Sequence, residues 1–511
     1  MKRALSYLLL AGVLASSEAL AQDGQDPVKY SSLSQQFVTS TINGDANASV
    51  LPSVATQNGF GSYLDNPASM ALITMSYFNT GLISNTGDHS SSYLGSDLGF
   101  DDTRTSFGNI GMIYSVPVTQ GSMVVGGGYS LRNDFNRTNI FNGRNTNSSI
   151  TDMFKQSGSD YNSIAFESYA IDYADIEQTS LESIFRIGFA PGEFLGIQQE
   201  GEMRQRGTSG EYTLFMATEI QKNLFIGASI GAIYGNYSFE RSFLEIDEGN
   251  IYDGDFIDVD SEGNGGTDVA SILLEDELDM EISGANLNIG VIYQVLPKVN
   301  LGASFLLPTR LNVTEEYSSS ILTRLDDGRT PFGDDFSGNF NYKIRRPWEL
   351  NLGFALEEIN RVTISAAVEL IDYRNTSLDL TSSDDSAFRT AELREQEAIF
   401  DSVFTNSYNF VANLSGGIKY KSRTGFELRG GAAFLPGKSS DFEADRLILS
   451  GGLGIPLSRE LYLDITTQYT GWDDRSILYE YLDPISGQVR TESIDETISQ
   501  INVMVGLKYR F

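Results

Sequence analysis

The last eleven residues constrain the fold of this chain more than any other segment. Apolar side chains occupy every second position up to the C-terminus, namely Ile501, Val503, Val505, Leu507, Tyr509 and Phe511, and most residues between them are polar. Successive side chains of a β-strand point to opposite faces, so the segment predicts a strand with one apolar face. Such a strand is expected in two structures. One is the wall of a membrane barrel, between lipid and a water-filled lumen, and the other is a soluble sandwich in which one face of the strand is buried.

Acidic residues within the alternating segments separate these two alternatives. Residues 350–356 and 362–370 repeat the pattern, and Glu349 and Glu369 fall on the face opposite the apolar side chains. Burying two carboxylates in a dry core would be costly. A water-filled lumen accommodates them, and the alternation therefore favours the barrel.

Fourteen strands are predicted, and short turns alternate with long loops between them. The strand ranges are 69–83, 106–118, 121–135, 209–221, 223–240, 283–296, 299–309, 346–356, 361–373, 407–420, 425–435, 445–456, 460–472 and 498–511. The long loops are 136–208, 241–283, 310–345, 374–406 and 473–497. Short turns on one side and long loops on the other are typical of outer-membrane barrels, whose closure removes unpaired edges. We therefore predict an all-β fold, a transmembrane antiparallel barrel of about 14 strands.

The N-terminal region predicts export. Lys2 and Arg3 precede a short apolar run and the small-residue site Ala19-Leu20-Ala21, so residues 1–21 are expected to be a cleaved signal peptide. Residues 22–68 are polar and non-periodic, which fits either a leader or a plug, and residues 69–511 form the predicted barrel. The expected location is the outer membrane, with lipid around the wall.

Composition excludes several classes of function. The chain has 35 basic and 68 acidic residues, so nucleic acid is not an expected partner, since binding it requires a positive surface. It has no cysteine and a single histidine, His89, which excludes thiol catalysis and His-rich metal sites. We expect no enzyme activity, no catalytic residues, no cofactor and no metal.

The loop 241–283 is strongly acidic. Its segment Asp258-Val-Asp260-Ser-Glu262-Gly263 partly matches a calcium loop, but Val269 stands where the twelfth-position Glu is required. We interpret the loop as a solvated acidic face. Divalent ions that bridge it to anionic surface lipid are the alternative.

The loop 136–208 carries more apolar side chains than a loop facing water requires. Candidates for capturing a hydrophobic small molecule are Phe154, Phe166, Tyr169, Phe185, Phe189 and Phe194. Arg429 and Lys419 are predicted to face the lumen, where they would either hold a carboxylate headgroup or pair with Glu427 and other lumen acids.

The segment from Gly61 to Leu72, which contains Asn66-Pro67-Ala68, resembles the Asn-Pro-Ala signature of the FadL/TodX family. This family comprises outer-membrane transporters for long-chain fatty acids and other hydrophobic compounds. The motif stands just before the first strand, as in that family, although the Gly-rich stretch upstream is reduced to Asn58-Gly59-Phe60-Gly61. The resemblance implies that residues 22–68 fold inside the barrel as a hatch that moves around Asn66, Pro67 and Ala68.

The resemblance also implies passive transport, in which the ligand is caught among the outer loops and leaves sideways at a kink in the third strand. Gly126, Gly127 and Gly128 lie in that strand and are candidates for the lateral gap, because glycines weaken strand pairing and admit bulges. The alternative, compatible with the first, is that they make room for a bulky hatch side chain.

Two other functions compete with transport of hydrophobic molecules. A barrel of this type could serve as a docking scaffold for secretion-system proteins or for surface attachment, because fold does not fix function. An ordinary porin for polar solutes fits poorly with a plug and an apolar loop.

Overall fold

The computed structural model describes residues 27–156, 159–174, 178–187, 194–254, 257–258, 266–333, 336–382, 386–439, 444–483 and 486–511. The strands are β1 Tyr77–Tyr93, β2 Ser96–Val116, β3 Met123–Asp134, β4 Arg137–Asn145, β5 Ile171–Tyr173, β6 Leu181–Ser183, β7 Ile197–Gln221, β8 Leu224–Ile246, β9 Ile257–Asp258, β10 Gly266–Thr267, β11 Val269–Leu296, β12 Val299–Leu306, β13 Arg310–Leu325, β14 Phe336–Arg345, β15 Glu349–Ile359, β16 Val362–Asp372, β17 Ser377–Asp379, β18 Phe410–Lys421, β19 Glu427–Leu435, β20 Arg446–Pro456, β21 Leu461–Leu482 and β22 Val489–Arg510. The α-helices are α1 Pro27–Val38, α2 Ser62–Asp65, α3 Thr151–Phe154, α4 Tyr161–Glu167 and α5 Ala387–Ser407, and Pro67–Leu72 and Tyr373–Asn375 are 3-10 helices.

The wall is a closed antiparallel barrel of fourteen strands, as the sequence predicts. Each wall strand pairs with its neighbour in the chain, and β1 pairs with β22 to close the cylinder. Four wall strands are divided into two segments each, namely β3 with β4, β12 with β13, β14 with β15 and β16 with β17. Among the described residues, no helix is both long and apolar enough to cross a bilayer.

The alternation of the last strand sorts its side chains as predicted. Ile501 and Val505 of β22 are exposed on the outside, whereas Asn502 and Met504 are buried inside. The same exposed apolar face recurs around the lower barrel and provides the surface that meets hydrocarbon.

The strands extend further on one side than the sequence predicts, so the loops expected at 241–283, 310–345 and 473–497 are largely paired strand. β11 begins at Val269 and not at 283. In its added part Glu275 and Glu277 face outward, while Ile272 and Met280 are buried inside. Above the membrane the outer face meets water and the inner face meets packed loops, so the alternation is inverted there.

An apolar core fills this extended half of the barrel. Inward side chains of β8, β11 and β13 pack against α1, α5 and the segments between β4 and β7; large members include Phe37, Phe154, Phe185, Tyr237, Phe243 and Phe404. The barrel therefore has an apolar outside in the membrane and an apolar inside above it.

The first wall strand starts later than predicted. β1 begins at Tyr77, and the residues from Pro67 to Leu72, which include the predicted start at 69, form a buried 3-10 helix. The hatch, the part of the chain that lies inside the barrel before β1, therefore extends beyond the predicted end at 68 to Leu72.

Candidate functional site

The wall has a break between its second and third strands. β2 pairs with β3 from Val116 opposite Met123 up to Asn109 opposite Ser130, and no further. Beyond that point residues 96–107 of β2 pair with β1 alone among the described strands, and β4 pairs with β7 alone. We call this separation the wall break.

A bulge stands at each edge of the wall break. Gly81 of β1 pairs with Asn109 and Leu82 with Phe107, so Gly108 is an extra residue in β2. On the other edge Arg132 is an extra residue in β3, because Leu131 pairs with Gly210 and Asn133 with Ser209. A bulge leaves backbone groups without a ladder partner and bends the strand.

Hatch residues 41–44, which we call the sealing segment, occupy the wall break. The carbonyl oxygen of Arg132 accepts hydrogen bonds from the backbone N–H groups of Thr41 (3.2 Å) and Ile42 (2.9 Å). The side chain of Asn133 accepts a further bond from the Thr41 N–H at 2.9 Å. The hatch thus satisfies the backbone acceptor that the bulge in β3 leaves free.

The other end of the sealing segment touches the bulge in β2. A β-carbon added at Gly44 would lie 2.0 Å from the carbonyl oxygen of Gly108, and one added at Gly108 would lie 2.7 Å from that of Gly44. Only glycine permits so close an approach of two backbones. The hatch therefore closes the wall break from the inside.

Beyond the wall break the third strand turns into the lumen. Arg137 of β4 forms ion pairs with Glu496 of β22 (2.6 Å) and Asp474 of β21 (2.8 Å), so β4 crosses the inner faces of these strands. Arg104 of β2 donates to the Asn136 side chain at 2.6 Å and joins the two edges of the break. Polar contacts therefore hold the kinked strand in place.

Aromatic rings pack at the same kink. The ring of Phe37 in α1 meets Phe135, the first residue after β3, at 5.5 Å between centroids, and Tyr237 of β8 at 5.4 Å. On the outside Tyr129 stacks near Phe107 and Tyr212, at 6.0 and 5.0 Å. The wall break thus lies between an internal and an external aromatic cluster.

The three glycines predicted as a lateral gap lie in the paired part of β3, just before the wall break. Gly126, Gly127 and Gly128 pair with β2 on one side and with β7 on the other. A β-carbon at Gly128 would lie 2.8 Å from the ring of Phe60 in the hatch. Gly128 therefore makes room for a bulky hatch side chain, whereas Gly126 and Gly127 adjoin Phe215 and Leu214 of β7. The break begins after Ser130.

The Asn-Pro-Ala motif fixes the hatch to the wall. The buried side chain of Asn66 accepts a hydrogen bond from the Ala68 N–H (2.9 Å) and donates to the carbonyls of Val54 (2.6 Å) and Val291 (3.2 Å). Asn66 caps the 3-10 helix, and Pro67 occupies its first position, where a missing N–H costs nothing. The motif is an anchor between the hatch and β11.

The capture candidates fall into two environments. Phe154 and Phe185 are fully buried in the apolar core, and Tyr169 and Phe194 are partly buried against it. Phe166 is 39 % exposed and contacts Tyr173 at 5.3 Å. Phe189 lies outside the described residues. The structure therefore brings most of these side chains together as core and leaves Phe166 on the surface.

A polar cavity of about 250 Å³ lies between the hatch and the wall. Its charged lining consists of Arg132, Arg346, Asp65, Glu211, Glu349 and Glu369. Sequence reasoning assigned no role to Arg132 and Arg346, because a basic residue in a strand does not reveal what it faces. The lumen beside the hatch is a charged compartment.

Arg429 and Lys419, considered above for a headgroup, hold the hatch. Arg429 pairs with Asp464 at 2.8 Å and donates to the side chain of Asn47. Lys419 donates to the side chain of Asn58 at 2.7 Å. Both cations bind hatch residues from the wall.

Together the wall, the internal hatch and the wall break define the chain as a closed transmembrane barrel with a plugged lumen. The chain is similar in fold to several solved structures. A crystal structure of a Pseudomonas aeruginosa FadL homologue aligns over 93 % of this chain and 99 % of that chain, with 11 % identity and a TM-score of 0.53. The Pseudomonas putida toluene transporter TodX aligns over 93 % and 100 %, with 12 % identity and a TM-score of 0.52.

A third structure, a deltaS2 mutant of the TodX monoaromatic hydrocarbon channel, aligns over 92 % of this chain and 99 % of that chain, with 14 % identity and a TM-score of 0.51. No family model matches the sequence, and no curated protein does. The chain therefore has the fold of FadL and TodX, which confirms, for the fold, the resemblance carried by Asn66-Pro67-Ala68.

Proposed function

We propose that this protein is an outer-membrane channel for the passive transport of hydrophobic small molecules. The observation that carries the proposal is the wall break, which is closed from inside by a separate segment of the chain. In a wall whose only role was to enclose a lumen, unpaired backbone groups facing lipid would be a cost without a purpose. Solved structures of the same fold include a toluene transporter, which supports a hydrophobic cargo.

Transport begins with binding at the outer loops. A ligand partitions onto exposed rings such as Phe166 and gains about 0.8 kcal/mol for each CH₂ that it buries. It then enters the apolar core between α1 and the inner face of β8, near Phe37 and Tyr237. No bond is made or broken, and the concentration gradient supplies the driving force.

Release requires the sealing segment to leave the wall break. The hydrogen bonds at Arg132 and Asn133, the contact between Gly44 and Gly108, and the packing of the buried Ile42 side chain hold it there. Asn66 stays anchored to β11 while the sealing segment withdraws, and the ligand passes between β2 and β3 onto the outer aromatic rings. The exit is sideways into the membrane.

A disulfide across the wall break tests the proposal. The Thr41 hydroxyl donates to the Asn133 side chain at 3.2 Å, so the two side chains face each other, and the natural chain has no cysteine to interfere. Titration of free thiols after oxidation reports whether a cysteine pair at these positions has bonded. In liposomes that contain the Thr41→Cys/Asn133→Cys variant, we expect oxidation to abolish uptake of toluene and oleate and a reductant to restore it.

The matched control places a disulfide where nothing has to move. Thr86 of β1 faces Thr103 of β2 with their hydroxyl oxygens 3.0 Å apart. The oxidised Thr86→Cys/Thr103→Cys variant should transport like the natural protein. Undiminished uptake by the oxidised Thr41→Cys/Asn133→Cys variant would overturn lateral release, and no uptake by the natural protein would favour the docking scaffold.

A further inference from the structure

Two acidic residues meet at the extracellular tip of the barrel. Asp268 precedes β11 and Asp326 follows β13, and the two strands pair at their ends through Val269 and Leu325. The backbone N–H of Asp326 donates to the carbonyl oxygen of Asp268 at 3.0 Å. The pair connects the segment after β8 to the turn after β13.

The carboxyl of Asp268 is buried and incompletely satisfied. The residue is 3 % exposed; its Oδ2 accepts a hydrogen bond from the Gly254 N–H at 2.6 Å, and its Oδ1 is buried with no partner among the described residues. The nearby carboxyls of Asp326 and Asp253 both raise its pKa. A buried carboxylate is normally paired or bound to a metal.

No basic side chain balances these acids. In the part of the chain that the structure describes, no ion pair includes Asp268 or Asp326, and the nearby Arg329 binds Asp327 instead, at 2.5 Å. Burial, followed by the adjacent Asp326 carboxyl, raises the pKa of Asp268 to about 6. The buried carboxyl of Asp268 therefore has a second carboxyl beside it and, among the described residues, no ion pair with a basic side chain.

We propose that Asp268 and Asp326 bind a divalent cation, with Ca²⁺ as the best fit. Calcium takes six to eight oxygen ligands in variable geometry and completes its shell with water and backbone carbonyls, whereas magnesium requires a strict octahedron. Two carboxylates would supply the charge, and among the described residues there is no larger cluster of acidic or histidine side chains with metal-binding spacing. We expect a dissociation constant of about 10⁻⁴–10⁻³ M, the range of extracellular modules.

The ion would join the segment after β8 to the tip of β13. Tyr252 lies in that segment, and its ring packs on Phe185 at 5.0 Å. Binding at Asp268 would therefore stiffen part of the wall of the apolar core. The inference is independent of the cargo and of lateral release.

Calcium binding is tested on the purified full-length protein in detergent at pH 7.5. We expect Ca²⁺ at 1–10 mM, about the expected dissociation constant and above, to raise the melting temperature relative to EDTA, and terbium luminescence to report binding that Ca²⁺ displaces. The Asp268→Asn variant should lose the Ca²⁺ shift and bind terbium at least about tenfold more weakly, a change of about 1.4 kcal/mol. In EDTA it should melt no lower than the natural protein, because the substitution removes repulsion.

The matched control is Asp327→Asn, which changes a neighbouring acid that is paired with Arg329. This variant should keep the Ca²⁺ shift and the terbium signal. The proposal is overturned if the natural protein shows neither response, or if Asp268→Asn and Asp326→Asn both retain them. Uptake is measured in a separate assay without calcium. A failure of the transport proposal therefore leaves the calcium result standing, and a failure of the calcium proposal leaves the transport result standing.

Discussion

The backbones of Gly44 and Gly108 touch where the hatch meets the second wall strand, and this contact leaves no space for a side chain at either residue. It completes the closure that the hydrogen bonds from Thr41 and Ile42 to Arg132 begin on the other edge of the wall break. Because these contacts are confined to the sealing segment, that segment can withdraw while Asn66 keeps the rest of the hatch attached to β11.

A side chain at Gly108 should open the wall break. The Gly108→Val variant places carbon atoms where the Gly44 carbonyl lies, so the sealing segment must shift inward. We expect faster uptake of hydrophobic dyes into liposomes and faster protease cleavage of the hatch. Gly99→Val is the control, because in the same strand a β-carbon at Gly99 meets nothing closer than 3.8 Å. Equal behaviour of the two variants would contradict a closing role for this contact.

Arg137 should be essential for the inward turn of β4. The Arg137→Gln variant leaves Glu496, whose side chain is 1 % exposed, without its cation, and loss of one partner of a buried pair costs about 3–5 kcal/mol. The temperature at which the barrel unfolds, followed by its mobility on gels, should be lower in this variant. Arg475→Gln breaks an exposed pair with Asp495, 56 % and 67 % exposed, and should cost less than about 1 kcal/mol. Similar losses in both variants would contradict the assignment.

The side-chain amide of Asn66 both accepts a hydrogen bond, from the Ala68 N–H, and donates to the carbonyl of Val291. Asn66→Ala removes the cap of the 3-10 helix, worth about 1 kcal/mol, and also leaves the wall carbonyl of Val291 without its donor. Hydrogen exchange of residues 41–72 should increase in this variant. Asn66→Asp keeps the acceptor that caps Ala68 but cannot donate, so its effect should be intermediate. A variant that exchanges like the natural protein would argue against an anchor.

Substitutions of Phe154 and Phe166 should affect different properties, namely the stability of the fold and the binding of the ligand. Phe154 is fully buried, so Phe154→Ala should lower the free energy of unfolding by about 3–5 kcal/mol. Phe166 is exposed, so Phe166→Ala should change stability by less than about 0.5 kcal/mol and yet weaken binding of oleate. Parallel measurement of unfolding and ligand affinity checks both. Unchanged affinity in Phe166→Ala would remove this residue from the capture surface.

Stability without calcium should depend on pH through Asp268. Its pKa in the folded protein is raised to about 6, so the folded state binds its proton more tightly than the unfolded state does. The corresponding stability is fully present below the unfolded pKa, about 4, and is lost as the pH rises through 6. In EDTA the melting temperature should fall over this range, and Asp268→Asn should reduce the fall. Calcium should restore the loss above pH 6.

The lipid-facing parts of the strands could be predicted from the sequence, whereas the parts of the strands above the membrane could not. Apolar alternation in β22 is readable because outward residues such as Ile501 and Val505 are apolar and their neighbours mostly polar. In the upper part of β11 the outward residues are Glu275 and Glu277, so the same period with reversed polarity was interpreted as an acidic loop. Period alone cannot tell which face is wet.

The candidate site was only partly accessible to sequence reasoning. Asn66-Pro67-Ala68 could be found because the motif is local. The bulges at Gly108 and Arg132 could not, because a bulge is defined by the pairing partner and not by the residue itself. The glycines from Gly126 to Gly128 lie in a strand that borders the wall break, and the pairing shows that the strands part a few residues later.

The charged cavity beside the hatch has a consequence for where cargo ends up. A hydrophobic molecule that reaches the kink has acidic and basic side chains below it and hydrocarbon beside it, so moving down through the lumen would cost it its apolar surroundings. What arrives inside the cell would then depend on how readily each compound leaves the bilayer for the aqueous space beneath. Selection among cargoes would be shared between this protein and the membrane around it.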